Sequence, residues 1–178
     1  VNRNAYLKHF PIDKYVDFVV NRQHSAWDWT QAEQHGKWIE SAYLSAVQGD
    51  DKELLIKAES VLNRIIDSQE ANGYVGATAK SFRSPERPVR GMDAYELYFV
   101  FHAFITVYEE TGDKKALTAA EKLADYFLQY FGPGKLEFWP SDLRAPENNQ
   151  KHLDGHSDFA GHSVHSVSYT HLRAHETE

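Results

Sequence analysis

Histidine is the side chain with which this sequence could do most chemistry. Ten are present, and six of them lie between His152 and Glu178. A neutral imidazole donates through one nitrogen and accepts through the other, so it suits the recognition of hydroxyl groups as well as proton transfer. His102 stands at i+4 from Tyr98, which puts both on one face if the segment is helical. Glu96, on the same segment, is either a ligand-facing carboxylate or the acid of a capping box opened by Asp93, and the cap is the simpler reading. His156 sits in Gly155-His156-Ser157-Asp158-Phe159, where the glycine lets a ligand approach the backbone and Asp158 adds a carboxylate. The plain alternative for His102 is a satisfied histidine on an apolar helix, and for Tyr98 a core position. His156 and His162 match no metal-ligand spacing, so no metal site is assigned. His171 and His175 do have the i, i+4 spacing of ligands on a helix, but their segment is set aside below. Trp27, Trp29 and Trp139 offer stacking surfaces or buried aromatics near loops. Asp28, Glu33 and Glu40 are carboxylates close to tryptophans. Spacing along the chain does not measure separation in space, so no catalytic pair is named.

The composition narrows what such residues could serve. The chain has 178 residues, 42% hydrophobic and 25% charged, which is ordinary for a globular domain and unlike a disordered or collagen-like chain. No apolar run reaches the roughly 20 residues of a membrane span, so no membrane partner is expected. With 19 basic against 26 acidic residues the net charge is −7, and no basic stripe is present, so no nucleic-acid partner is expected. There is no cysteine, which excludes disulfides, thiolate-bound zinc and thiol catalysis within these residues.

The elements that must position the candidates read as helices. From Glu33 to Gln48, Trp38, Ile39, Ala42, Tyr43, Ala46 and Val47 recur at helical spacing, ended by Gly49 and followed by Asp50. Residues 51–70 put Leu54, Leu55, Ala58, Val61, Leu62, Ile65 and Ile66 on one face, closed by Asn72-Gly73. Residues 77–91, with Pro85, Pro88, Arg83, Arg87 and Arg90, read as a long loop. A helix from Asp93 to about Thr111 buries Leu97, Val100, Phe101, Phe104, Ile105 and Tyr108. Another, 114–131, buries Leu117, Ala120, Leu123, Ala124, Phe127, Leu128 and Phe131, and Gly132-Pro133-Gly134 stops it. The Gly49-Asp50 and Gly112-Asp113 turns recur 63 residues apart. No strand run is evident. Each helix pair buries one side only and needs neighbours, and the long period favours a closed toroid over a solenoid. The expected fold class is all-α, a partial (α/α)6 barrel.

The two ends read differently from the middle. Residue 1 is Val, with no secretory leader after it. Val167 to Thr177, V-S-Y-T-H-L-R-A-H-E-T, resembles one reading frame of a transposase-type sequencing adapter. The expected organisation is therefore 1–166 as the N-terminal part of an α/α-barrel domain and 167–178 as an artefactual tail.

The motifs carry a family resemblance. Gly36-Lys37-Trp38-Ile39-Glu40-Ser41-Ala42 resembles the "G/A-K-W-L-E-A" helix of the glycoside hydrolase family 127 group. Gln69-Glu70-Ala71-Asn72-Gly73-Tyr74 is similar to its "Q-x-x-D-G-Y" turn. Glu96-Leu97-Tyr98-Phe99-Val100-Phe101-His102 resembles its "E-L-Y-C-x-G-H", and Gly155-His156 and Gly161-His162-Ser163-Val164 its later Gly-His motifs. The departure is Phe99-Val100-Phe101 in place of "C-x-G", which points to a divergent branch. The resemblance implies a carbohydrate partner and places His102 and His156 at the sugar pocket; Tyr98, Glu96 and Asp158 are the further substrate-binding candidates. It implies a β-L-arabinofuranosidase-like hydrolase acting on arabinose-containing, plant-type glycans. The group's best-studied branch uses a zinc-bound cysteine thiolate as nucleophile and a glutamate as acid/base. That cluster lies in the second half of the domain. The expectation is a catalytically incomplete fragment, cofactor-free in itself with zinc in the full-length parent, and prone to association through its open face. The alternatives are a non-catalytic helical-repeat or carbohydrate-binding scaffold, and an α/α-barrel sugar epimerase or unsaturated-uronyl hydrolase with histidine or aspartate chemistry.

Overall fold

The computed structural model describes residues 3–23, 33–89 and 93–136, and the fold is that of these residues. They form six α-helices: α1 Arg3–His9, α2 Ile12–Val20, α3 Glu33–Gly49, α4 Lys52–Asp67, α5 Asp93–Thr111 and α6 Lys114–Tyr130, with a 3-10 turn at Lys80–Phe82. Among the described residues no strand forms, and pairing is limited to the isolated bridges Ser84–Arg87 and Phe131–Leu136.

The helices pair in sequence order. α3 packs on α4 and α5 on α6; α3 and α5 lie side by side, and α4 and α6 touch behind them. Gly36 makes the α3–α5 approach possible, because a Cβ there would fall 2.5 Å from the backbone carbonyl carbon of Phe99. The two turns that join the pairs are equivalent, but not in the register that Gly-Asp suggests. Asp50 and Gly112 take the left-handed conformation, at φ 47° and 72°. Asp51 and Asp113 then cap the next helices, accepting from the backbone N–H of Leu54 and of Lys115. Gly49 is the last helical residue of α3.

Several boundaries differ from the periodicity reading. α4 stops at Asp67, because the residues up to Gly73 are drawn into a turn closed by the Gly73 N–H on the Glu70 carbonyl. Val47 and Leu128 are exposed, since the buried stripes run through Ala46 on α3 and through Ala119, Tyr126 and Phe127 on α6. Helices α1 and α2 were not evident from periodicity; each is short. They are fixed from outside: the Trp38 indole donates to the Leu7 carbonyl at 3.1 Å, and Arg64 of α4 pairs with Asp13 and Asp17 of α2. The segment read as a long loop is folded down. Ala77, Thr78 and Val89 are all buried.

The core includes a buried imidazole. His35 lies on the buried face of α3, in line with Ile39, Ala42 and Ala46, and is 1% exposed. Neither ring nitrogen has a hydrogen-bond partner among the described residues. Burial alone pushes its pKa down to about 3, so the ring is neutral in the folded chain at ordinary pH.

Two outcomes follow from this packing. Gly36→Ala should gain about 1 kcal/mol from helix propensity alone, yet the contact with Phe99 predicts a net loss of about 1–3 kcal/mol, measurable by urea denaturation. For His35, the unfolded chain takes up a proton near 6.5 and the folded chain only near 3. The unfolded state therefore binds more protons between these values, and stability falls as pH drops below 6.5. At pH 5 the loss should be about 2 kcal/mol relative to neutral pH. His35→Leu should remove that increment from the same denaturation curves.

Candidate functional site

Helix α5 carries most of the candidate residues, and its two faces differ. At about 100° per residue, Asp93, Glu96, Leu97, Val100, Phe101, Ala103, Phe104 and Val107 share one side, and all are buried. Tyr95, Tyr98, Phe99, His102, Ile105 and Thr106 share the other, and all are half-buried. The structure therefore separates Glu96 from Tyr98 and His102. Glu96 is 1% exposed on the core side. Tyr98 and His102 lie together, ring centroids 4.5 Å apart.

The core side of α5 is held by a polar node. The Tyr74 hydroxyl donates to Asp93 Oδ1 at 2.8 Å and accepts from the Thr78 N–H at 3.1 Å, and Thr78 Oγ1 donates to the same Asp93 oxygen at 2.9 Å. Burial, then the charge of Asp93, raises the Tyr74 pKa well above its ordinary value, so the phenol remains a donor. The Arg83 guanidinium lies 3.5 Å from the centre of the Tyr74 ring, donates to the Thr78 carbonyl at 3.2 Å and pairs with Glu70. Arg22 also pairs with Glu70 and reaches the Val19 and Ser68 carbonyls, which ties the end of α2 to the end of α4.

This node accounts for the Gln69-to-Tyr74 motif in structural terms. The Gln69 amide donates to the Gly73 and Ala119 carbonyls at 2.9 and 3.0 Å. The Asn72 side chain accepts from the Tyr74 N–H at 3.1 Å. Gly73 has φ +96°, and a Cβ there would meet the Lys122 carbonyl oxygen at 2.0 Å. The motif binds α4 to α6 and delivers Tyr74 to the first turn of α5.

The half-buried side of α5 forms a wall with α3. Phe99 meets Tyr95 and Tyr98 edge to face, both at 5.0 Å between centroids. Lys37 of α3 lies over Phe99 at 4.3 Å and over Tyr95 at 5.2 Å. One turn further along, Thr106 donates to Glu40 Oε1 at 3.3 Å. The wall thus presents an ammonium, an aromatic cluster, an imidazole, a hydroxyl and a carboxylate in order along the helices. Such a mix of apolar faces and a few fixed polar groups suits a hydroxyl-rich ligand. Tyr95, Phe99 and Lys37 were not singled out from the sequence. The signal was present: Tyr95, Tyr98, Phe99 and His102 follow the i, i+3, i+4, i+7 spacing of a second stripe.

Of the other candidates, Glu40 belongs to this wall, and Glu33 opens α3. His156, Asp158, His162, His171, His175, Trp27, Asp28, Trp29 and Trp139 lie outside the described residues, as does the segment 167–178. The zinc centre implied by the family resemblance needs a thiolate that this chain does not contain. Among the described residues no group of three or more His, Asp or Glu could hold a metal ion. The residues present do not fit that centre, and no step is derived through it.

Comparison with known proteins bears on the whole array. The family model for the β-L-arabinofuranosidase GH127 catalytic domain matches residues 3–142. The non-reducing end β-L-arabinofuranosidase of Bifidobacterium longum subsp. longum is 29% identical over 104 residues, which cover 54% of this chain and 16% of that protein. A solved GH127 β-L-arabinofuranosidase from Geobacillus stearothermophilus T6 superposes with a TM-score of 0.57 at 16% identity, over 92% of this chain and 33% of that one. A solved GH127 β-arabinofuranosidase gives 0.55 at 22% identity, over 75% and 25%. These likenesses give the helix pairs their architecture, a partial all-α barrel. The chain spans about a sixth of the length of its curated relative. With a family match that runs from α1 past the end of α6, the chain belongs to the GH127 β-L-arabinofuranosidase catalytic-domain family.

Proposed function

We propose that this chain supplies one wall of the sugar pocket of a glycoside hydrolase acting on β-L-arabinofuranosides in plant-type glycans. The reacting groups of that enzyme are not among its residues. The observation that carries the reading is the pairing of Tyr98 with His102 on the half-buried side of α5, within a chain of this family. An imidazole held against a phenol ring has a fixed orientation, and it can donate to or accept from a sugar hydroxyl. The neighbouring Phe99 cluster supplies an apolar surface for the ring carbons.

In this account Tyr98 and His102 are binding residues, and Glu96 acts only through the position of α5. His156 and Asp158 remain binding candidates from the motif resemblance. Because a cysteine nucleophile is lacking, the chain should bind sugar without cleaving it. An epimerase or uronyl-hydrolase reading would instead have His102 move a proton, and it predicts turnover by this chain.

The test is ligand-observed saturation-transfer NMR with methyl β-L-arabinofuranoside, paired with a chromogenic hydrolysis assay. The expected result is a transfer signal without hydrolysis, with binding weakened about tenfold by His102→Ala, about the value of one hydrogen bond to a buried polar group. Glu96→Gln should lower the unfolding midpoint and leave the transfer signal of the folded protein in place. Equal binding by wild type and His102→Ala would remove His102 from the site.

A further inference from the structure

The back of the helix array carries a second concave surface, between the end of α4 and the first half of α6. It encloses about 380 Å³, within the range of ligand clefts, and its titratable lining is three lysines: Lys114, Lys115 and Lys122. Thr118 adds a hydroxyl, and the apolar floor is Ile66 and Ala119. Among the described residues no carboxylate and no aromatic ring lines it. In a chain of net charge −7 the lining itself carries only positive charge. Three acids adjoin lining residues in sequence: Asp113 caps α6 through the Lys115 N–H at 2.8 Å, and Asp67 and Glu121 are exposed beside Ile66 and Lys122 without being part of the lining.

The walls of the cleft are fixed by interactions already described. Gln69 bridges the Gly73 and Ala119 carbonyls, and the absence of a Cβ at Gly73 brings the α6 backbone in at Lys122. All three lysine side chains are exposed at the rim. Lys115 and Lys122 are seven residues apart on one helix face, an axial rise of about 10.5 Å.

That spacing decides the class of ligand. A single exposed ion pair contributes little, so one small anion would not be retained. An extended ligand with repeated negative charges can engage Lys115 and Lys122 together and gains from both. A single-stranded nucleic acid would also need stacking surfaces for its bases, and the cleft has none. We infer that the α4–α6 cleft binds an acidic oligosaccharide, a glycan strand carrying uronic-acid carboxylates. The choice of a glycan among polyanions rests on the carbohydrate reading above; the cationic cleft itself does not.

The experiment is calorimetric titration of the chain with a short oligogalacturonate, in low and in physiological salt. Saturable binding that weakens with salt and falls about tenfold in the Lys115→Glu/Lys122→Glu double variant is the expected result. Both side chains are exposed, and an unchanged thermal midpoint checks that the variant is folded. Lys115→Gln/Lys122→Gln serves as a second variant without charge reversal. His102→Ala should bind oligogalacturonate as the wild type does, which separates this cleft from the arabinofuranoside wall. The inference is overturned by absence of saturable binding, or by equal affinity in either double variant. It is also overturned if inorganic pyrophosphate, a single-stranded oligonucleotide or a neutral oligosaccharide binds as tightly.

Discussion

The hydroxyl of Tyr74, buried between Thr78 and Asp93, fixes where α5 begins. Three hydrogen bonds converge there, two of them on one oxygen of Asp93. A buried carboxyl is costly unless its lone pairs are used, and here a phenol and a hydroxyl use them. With the first turn of α5 held, the rotation of that helix is set, and with it the direction of every later side chain. Asp93, Glu96 and Phe104 turn inward, and Tyr98 and His102 turn outward. The aromatic wall is a consequence of an anchor some two and a half turns away.

The anchor is itself supported from behind. Arg83 is 5% exposed at its side chain and stacks on Tyr74 while pairing with Glu70, and Arg22 pairs with the same carboxylate from α2. Two cations around one carboxylate leave a net positive charge next to Tyr74 and Asp93. The two arginines thus balance the two carboxylates, Glu70 and Asp93. Buried ion pairs seldom add much stability over apolar packing, yet removing one member exposes the cost of the others. Their contribution here is to place the segment 74–89, which would otherwise have no periodic structure to hold it. The turn just before it lets α4 and α6 approach through Gln69 and Gly73, so the anchor for α5 and the walls of the lysine cleft are continuous in sequence.

Much of this was legible in the sequence because helices announce their buried stripes. The extents of α3, α5 and α6 followed from period and caps, and the all-α class followed from the absence of strand runs. Four things were less legible. The short helices α1 and α2 depend on contacts such as Trp38 to Leu7, which no local pattern encodes. The αL residue of the first turn is Asp50, since asparagine and aspartate tolerate that conformation and glycine is not required. Glu96 was grouped with Tyr98 and His102 by its place in one motif, but on a helix a two-residue offset turns a side chain by about 160°. The second stripe on α5 was hidden by being aromatic throughout, since Tyr95, Phe99 and Phe101 look alike in composition although only Phe101 is in the core.

The account rests on the anchor at Tyr74, and native-state hydrogen exchange of Tyr74→Phe tests it most directly. A hydrogen bond to a carboxylate contributes about 1.5–3 kcal/mol. The account predicts that amides in the first turns of α5 and in residues 74–89 lose protection together by that amount, while the hairpin of α3 and α4 keeps its own. Unchanged protection at α5, or an even loss across α3, α4, α5 and α6, would contradict it.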